Sequence, residues 1–321
     1  MSPPYAATLE DIRNAHTRIQ GMIHRTPVLT SSAINDLAGR QLWFKCENFQ
    51  RVGAFKYRGG CNAVAHLTEE QAARGVCTHS SGNHAQAIAR AARERGIPAT
   101  IVMPSNAPEV KRAAVAGYGA TIIPCAPTLE AREATAAEVV ARTGAHFIHP
   151  YDDPHVIAGQ GTAALELIAE VGPLDAILAP VGGGGLMAGS CIATRALLPH
   201  CRLFGAEPKG ADDAARSMEA GHLIPQTGPN TICDGLLTSL GQLTWPILRD
   251  HLEAIITVSD AQTLEAMRLI WTRMKIIIEP SCATPLAVVL SERFRALEGI
   301  ERVGIILTGG NVDLDRLPWV T

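Results

Sequence analysis

The feature that most constrains this chain is a steady alternation of short apolar or β-branched runs with longer stretches of helical period. The strand-like runs are "QLWFKC", "GVCTHS", "ATIVMP", "ATIIPC", "HFIHP", "DAILAPV", "RLFGAEP", "AIITVS" and "VGIILTGG". Between them lie Ala-, Glu- and Arg-rich segments such as "NHAQAIARAARERG", "PTLEAREATAAEVVARTG" and "GTAALELIAEVG", each closing on a glycine suited to a helix C-terminus. Strand and helix in regular rotation predict an α/β protein with open parallel sheets flanked by helices. The segment 77–147 holds four compact βα-like units and is expected to form a small domain. Residues 1–76 and 148–321 would then make a larger, discontinuous domain, with ligands bound in the cleft between the two.

At 321 residues, 47% hydrophobic and 18% charged, the chain can bury a large core without staples. A net charge of −3, without blocks of like charge, gives no basic footprint for nucleic acid or an anionic membrane. No apolar run approaches the roughly 18 residues of a membrane span, and the start "MSPPYAATLEDIRNAH" has no signal-peptide core. Its eight cysteines form no Cys-x-x-Cys pair and no zinc-finger spacing with His, so buried thiols in a reducing cytoplasm are expected. A small-molecule partner fits this profile best.

"LDAILAPVGGGGLMAG" runs from a strand-like segment through Gly182, Gly183, Gly184 and Gly185 into a helix-like one. Backbone that can approach a ligand closely, with N–H groups turned inward at a helix N-terminus, suits a phosphate better than a bare flexible turn. Two phosphate ligands remain open at this point. Gly183-x-Gly185-x-x-Ala188, with Glu207 about twenty residues on, satisfies a dinucleotide fingerprint and points to an NAD-dependent oxidoreductase. That reading leaves Lys56 in "GAFKYRGG" and the loop "THSSGNHAQA" unexplained. In the loop, Ser80, Ser81, Asn83 and His84 crowd one helix N-terminus, where capping would need only one of them. Carboxylate binding is the favoured reading.

The ordered set "GAFKYRGG", "SSGNHAQA", "HPYDDPHVIAGQGT", "PVGGGGLMAG", "GAEPKGADDA" and "LTGGNVDL" resembles the fold-type II pyridoxal-phosphate (PLP) enzymes. Within them it is similar to the serine/threonine dehydratases, serine racemases and 3-hydroxyaspartate ammonia-lyases, across essentially the whole chain. The resemblance implies the tryptophan synthase β-like fold and PLP as the phosphate ligand. By the same resemblance, Lys56 matches the Schiff-base lysine, Phe55 packs on the cofactor ring, and Asn83 contacts its phenolic oxygen. Gly182, Gly183, Gly184, Gly185 and Leu186 match the phosphate cup, and Thr308 faces the pyridine nitrogen, a hydroxyl pairing that suits elimination. Ser80, Ser81, Asn83 and His84 match the substrate-carboxylate loop. Tyr151, where relatives differ, is expected to border the substrate side chain. Glu207 and Asp213, with the Ala211 carbonyl between them, match a divalent-cation site whose oxygen ligands suit Mg²⁺, Mn²⁺ or Ca²⁺.

What the resemblance implies is an ammonia-lyase removing water from a β-hydroxy-α-amino acid such as serine, threonine, 3-hydroxyaspartate or phenylserine. Lys56 is then the general base at Cα. The departing hydroxyl needs an acid, for which the cofactor phosphate is a candidate. Ser81 could serve the opposite face of Cα, giving an amino-acid racemase with side elimination as the alternative. A second substrate carboxylate would want a cationic partner, Arg132 or His149. Where many family members carry Ser, this chain has Ala54. A homodimer in the cytoplasm completes the expectation.

Overall fold

The computed structural model describes residues 5–319. All nine strand-like runs form strands, and a tenth is added by Val28–Leu29. In chain order the strands are β1 (Val28–Leu29), β2 (Gln41–Cys46), β3 (Val76–His79), β4 (Ala99–Pro104), β5 (Thr121–Cys125), β6 (His146–Phe147), β7 (Ala176–Pro180), β8 (Arg202–Pro208), β9 (Ala254–Val258) and β10 (Arg302–Leu307). They build a six-stranded sheet ordered β1-β2-β10-β7-β8-β9 and a four-stranded sheet ordered β5-β4-β3-β6. Every pairing is parallel except β1 with β2. Helices cover both faces of each sheet, which is why strands such as β7 read as unbroken apolar runs.

The helices end where their glycines permit. Asn83–Arg95, Leu129–Thr143 and Pro154–Val171 stop at Gly96, Gly144 and Gly172, with φ of 73°, 69° and 78°. Such left-handed backbone strains any residue with a Cβ. Asp153 starts the helix Pro154–Val171 by accepting from the His155 and Val156 N–H groups.

In the larger sheet the chain builds β2, then β7 to β9 on the other side, and returns to insert β10 between β2 and β7. Loops leaving β7 and β10 therefore diverge at a switch point, where open α/β sheets form a crevice. The helix Lys56–His66 begins near this crevice. It lies directly on Pro154–Val171, because a Cβ on Gly159 would come within 2.7 Å of the Arg58 carbonyl oxygen and Gly59 Cα. Below it sits a buried charge cluster. Arg58 donates to Glu47 at 2.7 and 2.8 Å and to Glu166 at 2.8 Å, and Lys45 donates to Glu166 at 2.7 Å. Two cations and two carboxylates balance there, with Thr26 and Thr162 filling remaining bonds. The cluster ties β2 and two helices together beneath the lysine.

No helix among the described residues is long and apolar enough to cross a membrane. The cysteines are free, and all are buried except the half-buried Cys125.

Candidate active site

Lys56 is the first residue of its helix and follows a turn held to the end of β10. Phe55 N–H donates to the Thr308 carbonyl at 2.9 Å, and Gly310 N–H donates to the Gly53 carbonyl at 2.9 Å. Ala54, fully buried, bridges to Gly309. Val52 and Gly53 are both left-handed, with φ of 56° and 69°, which swings the chain back so that the lysine faces the crevice. The Lys56 amine donates to the Pro150 carbonyl at 2.8 Å. Burial lowers its pKa to about 8, and no neighbouring charge contributes. Lys45 is the contrast: it is fully buried where Lys56 is half-buried, and it is paired with Glu166.

Around Lys56 lies a cavity of about 230 Å³ at the carboxyl ends of β3, β7 and β10. Phe55, Lys56, Ser80, Ser81, Asn83, His84, Tyr151, Gly182, Gly183, Gly184, Gly185, Leu186 and Thr308 all line it. Residues as distant in the sequence as Phe55 and Thr308 thus line one cavity.

The loop after β3 enters the helix Asn83–Arg95 through Gly82, and no side chain caps that helix. The capping alternative for Ser80, Ser81 and Asn83 is therefore not realised, and the helix N–H groups are left for a ligand. Ser80 Oγ accepts from Gly82 N–H at 3.2 Å. Asn83 is held on both sides: its Nδ2 donates to Glu279 at 2.9 Å and its Oδ1 accepts from Asn311 at 2.8 Å. His84 is buried with neither ring nitrogen partnered among the described residues. Burial first, then the charge of Lys56, keeps it neutral.

At the glycine run only Gly184 is left-handed, with φ of 87°. The helix Gly185–Leu197 also starts without a side-chain cap. Gly183 is needed for another reason, since a Cβ there would overlap the Tyr151 ring. Tyr151 Oη pairs with Thr238 Oγ1 at 2.9 Å.

Several lining residues were not legible in the sequence. Glu279 is buried, and burial, reinforced by the charge of Asp234, pushes its pKa up to about 7. A lone acid closing the apolar run "KIIIEPSCA" was the available signal. Lys111 and Asp234 form an ion pair at the cavity wall. Of the two cationic partners named from the sequence for a second carboxylate, Arg132 lines the cavity, as does His79. His149 stands just behind, its Nδ1 accepting from the Asp152 N–H at 2.9 Å, so Nε2 carries its proton. Burial holds both histidines down at about 4.

Glu207 and Asp213 lie outside the cavity. Glu207 accepts from the Ala214 and Ala215 N–H groups at 3.1 and 2.8 Å, so it is turned to a helix N-terminus and not toward the glycine run. The dinucleotide reading loses its ribose-binding acid. Among the described residues no group of three or more His, Cys, Asp or Glu is arranged around a metal position. The two carboxylates are nevertheless buried together. Burial, then the charge of Asp213, raises Glu207 well above the usual range, while burial brings Asp213 up to about 6. Asp213 Oδ1 is buried without a partner among the described residues, and Ala211 is buried beside them. This oxygen-only set fits a hard divalent cation.

A half-buried lysine of lowered pKa, two uncapped helix N-termini and a glycine floor meet in one crevice of an α/β fold, an arrangement suited to a cofactor with an anionic group. The comparisons agree. The family model described as "Pyridoxal-phosphate dependent enzyme" matches residues 19–309, and the chain belongs to that family. It is 51% identical to the serine racemase of Dictyostelium discoideum over 319 residues, 99% of this chain and 98% of that protein. It is 52% identical to the β-hydroxyaspartate dehydratase of Paracoccus denitrificans (strain Pd 1222) over 315 residues, 98% and 99% of the two chains. The structure of maize serine racemase superposes with a TM-score of 0.96 at 46% identity, covering 97% of this chain and 95% of that one. The fold class and family expected from the sequence are borne out.

Proposed function

We propose that this protein is a PLP-dependent ammonia-lyase that removes water from a β-hydroxy-α-amino acid and releases a 2-oxo acid and ammonia. The observation that carries the reading is the Lys56 amine, held inside the cavity with its pKa lowered to about 8, where it can both attack an aldehyde and accept a proton. When bound, PLP supplies the electron sink that makes the substrate α-proton acidic. Lys56 would hold its aldehyde, Gly182 to Leu186 its phosphate, Asn83 its phenolic oxygen, Thr308 its ring nitrogen and Phe55 its ring face.

The chain's own groups do the rest. Ser80, Ser81 and His84, with the uncapped N–H groups behind them, bind the α-carboxylate. Lys56 takes the α-proton. Arg132, a guanidinium on the cavity wall, suits a substrate carrying a second carboxylate, and this favours 3-hydroxyaspartate over phenylserine. Glu207, Asp213 and the Ala211 carbonyl would hold a divalent cation away from the chemistry. The expected assembly is a homodimer, which sedimentation at micromolar concentration would test.

A racemase reading is favoured by one observation: Ser81 shares the cavity with Lys56 and offers a second hydroxyl to Cα. The deciding experiment is an assay of 2-oxo acid, ammonia and enantiomer over serine, threonine, 3-hydroxyaspartate and phenylserine. Stoichiometric oxo acid and ammonia support the lyase. Inversion without ammonia, abolished in Ser81→Ala, would support the racemase instead.

A further inference from the structure

We propose that Tyr151 is the acid that protonates the departing β-hydroxyl, with Thr238 supporting its phenolic oxygen. This rests on the lyase reading above and assigns its missing proton donor.

Both residues line the cavity, and their hydroxyls lie 2.9 Å apart. Two hydroxyls carry two protons, and their mutual bond uses one. If Thr238 donates, the phenolic O–H is free to face the cavity. That arrangement offers the stronger acid, because a phenol titrates near 10 in water and an aliphatic hydroxyl far higher. The Thr238 hydroxyl then also stabilises the developing phenolate. Burial raises the Tyr151 pKa, so the phenol is protonated at neutral pH and ready to donate.

The two carboxyl groups along the wall are already engaged. Glu279 accepts from Asn83, and Asp234 is paired with Lys111. Tyr151 is moreover rigidly set. Its ring covers Gly183 and meets the His149 ring edge-on at 4.6 Å. The next residue, Asp152, accepts from the Gln242 and Leu243 N–H groups at 3.0 and 2.8 Å, pinning the two loops together. The preceding residue, Pro150, carries the Lys56 amine on its carbonyl. The base is thus held by the residue next to the acid.

The step balances without an external acid. Lys56 Nζ takes the α-proton, the Cα–H electron pair becomes the Cα–Cβ π bond, and the Cβ–O bond breaks. The leaving oxygen takes the Tyr151 proton and departs as water. The phenolate is reprotonated at the expense of the Lys56 ammonium.

Tyr151→Phe keeps the ring over Gly183 and removes only the hydroxyl. Elimination should be compared on a β-hydroxy substrate and on β-chloroalanine, whose chloride leaves without a proton. The expected result is a loss of roughly 10²-fold or more on the β-hydroxy substrate, with β-chloroalanine far less affected. A second readout needs no turnover. The Tyr151 phenol titration, taken as the tyrosinate difference spectrum between wild type and Tyr151→Phe, should move to higher pH in Thr238→Val. Equal losses on both substrates, full activity in Tyr151→Phe, or a titration unmoved by Thr238→Val would each overturn the assignment. A wild type that turns over neither substrate would overturn the lyase reading itself.

Discussion

The amine of Lys56 rests on the carbonyl oxygen of Pro150 at 2.8 Å, and burial alone sets its acidity. A carbonyl accepts from ammonium and amine alike, so this contact positions the nitrogen without fixing it as a cation. Lys45 instead lies against a carboxylate, Glu166, at 2.7 Å.

From this follows a stability effect in cofactor-free protein. With a folded pKa of about 8 against an ordinary 10.5, the unfolded chain binds more protons between those values. Stability therefore rises with pH across that window, and the cost is complete below it. Lys56→Met should raise the melting temperature at pH 7, by a free energy of at most about 3 kcal/mol. The advantage should fade as pH climbs from 8 towards 10.5, as read by thermal melts across the range.

Glu279 carries the reverse sign. Its folded pKa of about 7 exceeds the ordinary 4.5, so the folded state holds the extra proton and stability falls as pH rises between the two. Glu279→Gln keeps an acceptor for Asn83. It should melt like wild type near pH 4.5 and above it at pH 8, with the difference opening through that interval.

Arg58 neutralises two buried carboxylates. Arg58→Met should destabilise by about 3–5 kcal/mol in urea titrations, because Glu47 and Glu166 would be left with Lys45 alone. Arg58→Lys should recover little, since one ammonium cannot reproduce the forked bonds to both acids.

The proposed cation binding at the paired acids Glu207 and Asp213 would be pH-dependent. Millimolar Mg²⁺ or Ca²⁺ added after chelation should raise the melting temperature at pH 8, and Asp213→Asn should abolish the response. Because burial raises Asp213 to about 6 and also raises Glu207, protons should compete the cation away as pH falls towards 6. An identical response at pH 5.5 and 8 would argue against these ligands.

Much of the molecule was legible because its signals are local. β7 and β10 declare themselves as apolar runs, and Gly96 and Gly144 mark helix ends through backbone that only glycine adopts freely. β1 was missed because two residues carry no period, and only pairing with β2 makes them a strand. At the site, motif order brought out Lys56, Asn83 and the glycines. Glu279 and Thr238 stayed hidden, since each acts through one partner distant in sequence, Asn83 and Tyr151. Gly183 was read as serving a phosphate, yet the Tyr151 ring already requires it. Such dual demands appear only when packing is known.

Borohydride reduction of the purified holoenzyme, followed by peptide mass mapping, tests the central claim most directly. The expected result is a yellow protein that bleaches and carries reduced cofactor on the peptide containing Phe55, Lys56 and Tyr57. Cofactor found on Lys45, Lys111, Lys209 or Lys275, or no cofactor at all, would contradict it.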